Sequence, residues 1–139
     1  MKIRYLCCKS NPKSDAIVCL RESVIAFKNN RKIEDGEQFY IVFKDGKDCK
    51  ICGRGKVCGM TNSKSFMSPE QYRTFYALKD VEGCIPFSIN DISKERLGNY
   101  WGMNLQSSCA ITNDEYIREI EKRFVKIEVE EAIQIIEAG

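Results

Sequence analysis

The chain of 139 residues contains no histidine. That absence removes the commonest general base, the usual partner of a serine or cysteine nucleophile and the commonest metal ligand. Carboxylates could still act as acid and base, but no Asp/Glu pair sits in a recognisable catalytic pattern, so no catalytic residue is expected. Tryptophan occurs once, at Trp101, and proline three times. No apolar run approaches the roughly 20 residues that cross a bilayer. The stretch from Met1 to Leu20 is broken by Lys9, Asn11, Pro12, Lys13 and Asp15, which argues against an export leader. The expectation is a soluble, cytoplasmic protein with no membrane partner. Its length suits one domain with a real core.

Cysteine, by contrast, is plentiful: Cys7, Cys8, Cys19, Cys49, Cys52, Cys58, Cys84 and Cys109. Without an export signal, reduced thiols are the expectation rather than a disulfide scaffold. Several lie in apolar, strand-like contexts such as Tyr5-Leu6-Cys7-Cys8 and Gly83-Cys84-Ile85-Pro86, where free cysteine behaves as a small buried hydrophobe. Cys49, Cys52 and Cys58 together offer three thiolates within ten residues, and a fourth from elsewhere could complete a zinc site. The spacing argues against it: a second Cys-x-x-Cys is absent, and strand parity sends Cys52 and Cys58 to one face. A redox pair at Cys49 and Cys52 would want a helix start, not a glycine-rich strand.

The net charge of +2 hides a division. Residues 1–66 hold 14 Lys+Arg against 7 Asp+Glu, and residues 67–139 hold 8 against 13. A basic half beside an acidic half is compatible with a phosphate-bearing partner on one side, or with scattered solvated lysines.

Along the chain, Ile3 to Cys7 reads as a strand closed by Ser10-Asn11-Pro12. Ser14 can cap a short helix; the near-continuous apolar run Ala16 to Arg21 leaves helix and strand open, with the preceding Pro12 favouring helix. Lys28-Asn29-Asn30-Arg31 reads as a loop and Ile33-Glu34-Asp35-Gly36 as a turn. Strands are expected at Gln38–Phe43 and Lys50–Val57 about the turn Lys44-Asp45-Gly46-Lys47. Glycines as dense as those in Cys52-Gly53-Arg54-Gly55 suggest bulges or a backbone that something approaches closely, and hence a barrel with a ligand-accessible wall. Ser68-Pro69-Glu70-Gln71 is a helix start, yet Tyr72 to Leu78 is rich in β-formers. Thr112-Asn113-Asp114-Glu115 is a capping box for a helix whose stripe Tyr116, Ile117, Ile120, Phe124 belongs in a core. Val125 to Glu130 alternates as a strand, and Glu131 to Gly139 reads as a short final helix.

Several segments carry a family signal in their order: Ile3-Arg4-Tyr5-Leu6-Cys7-Cys8 into Ser10-Asn11-Pro12, the loop Ser23 to Asn30, Ile33 to Phe43, Ile51 to Val57, Ile85-Pro86-Phe87, and Tyr100-Trp101-Gly102-Met103 ahead of Thr112. This order resembles the EVE domain of the PUA-like superfamily, relatives of the YTH and ASCH domains. The resemblance spans roughly residues 2–124 and leaves 125–139 as an extension. It implies an α+β fold, a partly open mixed or antiparallel β-barrel with peripheral helices, in which Tyr72 to Leu78 is a strand. It further implies a non-catalytic reader of nucleic acid, DNA or RNA, that needs no cofactor and takes an unstacked or modified base into a side pocket. By motif position, the pocket residues are Lys9, Ser10 and Asn11, then Phe27, Lys28, Asn29 and Asn30, with Trp101 and Asn104. The family's usual Trp-Gly is Ile25-Ala26 here, so that stacking wall is missing or passes to Phe27. The rival class is a small cysteine-rich metal-binding or protein-interaction module.

Overall fold

The computed structural model describes residues 3–8, 10–89, 92, 108–111 and 114–139. Strand β1 (Ile3–Cys8) leads into helix α1 (Pro12–Glu22), followed by β2 (Val24–Phe27), β3 (Gln38–Asp45), β4 (Asp48–Thr61) and β5 (Thr74–Ser88). Then come β6 (Ser108–Ile111), α2 (Asp114–Arg123), the two-residue β7 (Lys126–Ile127) and α3 (Val129–Ala138). The strands form one sheet in the order β2-β5-β4-β3-β1-β6, with β7 also on β5. All described pairings are antiparallel except β1 with β3, which α1 and β2 separate in sequence. The sheet curls into a half-barrel with the helices packed against it.

Both faces of the sheet are covered. In β3, Phe39, Ile41 and Phe43 enter one apolar cluster with Ala16, Cys19 and Leu20 of α1 and Ala132, Ile133 and Ile136 of α3. Tyr40 and Val42 enter the other, beneath Tyr116, Ile117 and Ile120 of α2. A strand buried on two sides reads as a continuous apolar run, and Phe39 to Phe43 is one. Phe124 packs against this second cluster, as the helix stripe predicts.

The glycines of β4 do mark irregular pairing: its register with β5 shifts between Ile51/Gly53, Arg54/Lys56 and Val57/Met60. What comes close, however, is the protein itself. A Cβ on Gly53 would lie 2.6 Å from Leu20 Cδ2 and 2.7 Å from the Glu82 carbonyl oxygen. At Gly53, therefore, the close approach that the glycine allows is that of α1.

Three local readings also shift. Helix α1 begins at Pro12 with Asn11 as its N-cap, ahead of the expected Ser14 cap, because Pro at the first helical position has its φ already set. Ser68 to Leu78 satisfies both of its signals: one 3-10 turn at Pro69–Gln71, then the start of β5. The alternation from Val125 to Glu130 yields only Lys126–Ile127 as strand, since Val129, Ala132, Ile133 and Ile136 share a helical stripe that the core below α1 captures.

Candidate nucleic-acid interface

Because β1 and β3 run parallel, the turn that ends β1 lies beside the hairpin that ends β3. Between them opens a shallow groove of about 380 Å³, walled by residues 10–14 on one side and by Lys44, Asp45 and Gly46 on the other. That volume falls in the roughly 300–1,000 Å³ range of small-molecule sites. Two of the sequence-derived pocket residues, Ser10 and Asn11, stand in its wall. A third arrives from the β2–β3 loop: the exposed Lys28 donates from Nζ to Ser10 Oγ at 2.8 Å. The first turn of α1 also faces this groove, with Lys13 and Ser14 in its lining. The N-cap Asn11 spends no side-chain bond on that helix end, and free N–H groups at a helix start favour anions.

The hairpin side carries its own charges. Lys50 holds Asp45 at 2.9 Å, and with Lys13 nearby the Asp45 carboxyl sits below its usual value.

The rim is fastened by buried polar groups. Asp15 of α1, 1% exposed, accepts from the Tyr72 hydroxyl at 2.5 Å and from the Met67 N–H at 3.3 Å. Asn11 Nδ2 donates to Ser68 Oγ at 3.5 Å. Burial, then the Asp15 carboxylate, drive the Tyr72 hydroxyl far above its ordinary pKa, so it stays a donor. These contacts pin the β4–β5 loop to the start of α1. None of them was in the sequence reading, although one signal was available: Asp15 sits beside Ala16 and one turn from Cys19, and a carboxylate inside an apolar stripe demands partners.

The other predicted pocket residues fall as follows. Asn29 and Asn30 are exposed on the same loop as Lys28. Phe27, offered as a replacement stacking wall, is 3% exposed and belongs to the core, edge-on to Phe39 and Tyr76 at centroid distances of 6.0 and 6.1 Å. Its ring is therefore spent on packing, with the Arg31 guanidinium 5.8 Å from its centroid. Lys9, Trp101 and Asn104 lie outside the described residues. Among the described residues the groove wall carries no aromatic ring.

The three cysteines weighed as metal ligands, Cys49, Cys52 and Cys58, do not converge. Cys49 belongs to the cluster under α2, Cys52 to the cluster under α1, and Cys58 is exposed. Parity had placed Cys52 and Cys58 together; the bulges between them break it. Burial raises the Cys52 thiol well above its usual value and pushes Cys84 up to about 12, the condition of inert packing thiols. Among the described residues no group of three His, Cys, Asp or Glu could hold a metal ion.

A second cleft, of about 290 Å³, lies toward the opposite end of β3, beside Gln38, Lys56 and Asp80. Its centre is Arg54, bonded to Glu82 at 3.0 Å and Glu121 at 2.5 Å and stacked 4.0 Å from the Phe124 centroid. Tyr40 donates to the same Glu121, and Lys126 reaches Glu82 at 3.0 Å. These charges are mutually satisfied and tie α2 and β7 to the sheet.

No family model matches the sequence, and no curated protein matches it. Solved structures do. A tyrosine-to-phenylalanine mutant of the ASCH protein from Zymomonas mobilis superposes with a TM-score of 0.62 at 14% identity, covering 89% of this chain and 99% of that one. The ASCH protein without that substitution gives 0.60 at 13%, covering 90% and 96%. The YTH domain of the Zygosaccharomyces rouxii MRB1 protein, solved in complex with N6-methyladenosine RNA, gives 0.59 at 13%, covering 90% and 88%. At such identities the likeness is one of fold: this chain has the PUA-like α+β half-barrel that ASCH and YTH domains share.

Proposed function

We propose that this protein is a non-catalytic, cytoplasmic nucleic-acid-binding module of the EVE or YTH kind, which takes single-stranded RNA at the groove beside Ser10 and receives an unstacked, modified base there. The observation that carries the reading is the meeting of Ser10, Asn11 and Lys28, from two separate segments, at an open groove also lined by Lys13 and Lys44. Cationic side chains and a helix start suit phosphate; hydroxyl and amide groups suit a base edge. The YTH relative in fold, solved with a methylated RNA, supports the choice of RNA over DNA as first partner. Trp101 is assigned the stacking role that Phe27 has no free face to fill. Nothing in the chemistry requires a cofactor.

Fluorescence anisotropy with short oligonucleotides tests this. Single-stranded RNA should bind more tightly than duplex, with affinity falling as salt rises, and N6-methylation of one adenine should change it. Lys28→Ala should weaken binding about three- to tenfold, and Trp101→Ala should cost about 1–3 kcal/mol, the usual value for a stacked base. Absence of binding at low salt to any RNA or DNA, or affinity indifferent to salt, would sink the reading.

A further inference from the structure

The loop that carries Lys28, Asn29 and Asn30 is held in an unusual way. The β2–β5 ladder runs from Val24↔Ala77 to Phe27↔Thr74, and the Arg73 N–H still donates to the Phe27 carbonyl at 2.8 Å. Past that point two side-chain hydroxyls of β5 take over. Thr74 Oγ1 donates to the Asn29 carbonyl at 2.6 Å and accepts from the Arg31 N–H at 3.2 Å. Further along the strand, the Tyr76 hydroxyl donates to the Arg31 carbonyl at 2.5 Å and accepts from the Ile33 N–H at 2.9 Å. Both residues are buried, 4% and 3% exposed. Each hydroxyl thus donates once and accepts once, and the backbone of a loop that is not strand is satisfied by side chains.

We infer that Thr74 and Tyr76 are positioning residues of the RNA site: their hydroxyls pre-set the backbone at residues 29, 31 and 33, so that Lys28, Asn29 and Asn30 are presented in one arrangement before ligand arrives. The inference rests on the functional reading above. Its physical basis is that a polar loop held at alternate residues loses little conformational entropy on binding, whereas a free loop must be ordered at the ligand's expense. The exposed side chains sit on the pinned stretch, and Lys28 already reaches across to Ser10. The partners of both hydroxyls are backbone groups of the loop, which an apolar side chain in either place would leave without that bond.

The test compares Thr74→Val, Thr74→Ser and Tyr76→Phe with wild type, using the short single-stranded RNAs above as probes and amide hydrogen exchange as a second readout. Thr74→Val should weaken RNA binding about three- to tenfold and speed exchange at Arg31 about tenfold, and Thr74→Ser, which keeps the hydroxyl, should restore both. Tyr76→Phe should act alike at Ile33 and serves if the valine variant does not fold. Rescue by serine separates positioning from packing, since serine packs worse than valine. Wild-type affinity in Thr74→Val or Tyr76→Phe, with RNA bound by wild type, overturns the inference alone; failure of the wild type to bind any probe overturns the functional reading and the inference with it.

Discussion

Individual residues in this protein are often constrained by a neighbour far away in sequence. Gly53 is one such position. Its missing side chain is the space that Leu20 of α1 occupies, against the backbone of Glu82. A backbone oxygen cannot step aside, and the overpacking cost of about 1–3 kcal/mol should fall near its upper end. Gly53→Ala is expected to destabilise by about 2–3 kcal/mol in urea titration with an unchanged slope, whereas an alanine at Gly55, whose nearest atoms are side chains at 3.2 to 3.3 Å, should cost less. Phe27 makes the complementary point: an aromatic residue in a motif position proves to be core, because a short strand buried along its whole length leaves no face for a ligand.

At the scale of elements, the helices are held in two different ways. Helices α1 and α3 are fastened mainly by apolar burial, helped by exposed Arg21 to Glu130 and Glu137, pairs that add little. Helix α2 adds a polar lock, Arg54 between Glu82 and Glu121. The bond from Lys126, joined by Arg54 and opposed by partial burial, holds the Glu82 carboxyl below its ordinary value. A depressed carboxyl contributes stability that is complete above the unfolded-state pKa and is lost as pH falls through the folded one. The stability gap between wild type and Glu82→Gln should therefore be widest near neutrality and close between about pH 5 and 3, as urea midpoints across that range would reveal. A gap that does not change with pH would mean the lock is not electrostatic.

For the whole molecule, the uneven charge of its two halves is partly an internal matter. Arg54 and Arg21 from the basic half pair with Glu82, Glu121, Glu130 and Glu137 from the acidic half. Lys13, Lys28 and Lys44 are gathered instead at the groove. If these cations meet phosphates, neutralising them should weaken RNA binding evenly across sequences. Lys13→Gln and Lys44→Gln are each expected to lower the slope of log affinity against log salt by about 0.7, the value for one contact on a single strand. Equal slopes in variants and wild type would remove Lys13 and Lys44 from the interface while leaving the proposed base pocket to be judged by the Trp101 variant.

Local chemistry in the sequence was enough for much of this architecture. The run Phe39 to Phe43, the turn at Gly46, the stripe of α2 and the glycines of β4 each carry their structural outcome in residue type and spacing, because turn φ, strand burial and helix periodicity are short-range properties. What only the tertiary structure decided is where faces and ends meet. Bulges send Cys52 and Cys58 apart, the core claims Phe27 and carries the start of the final helix back to Val129, and β1 lying parallel to β3 brings Ser10 beside Lys44. Those outcomes depend on contacts between segments distant in the chain, and no local pattern encodes which surface a strand will share with a segment that folds onto it later.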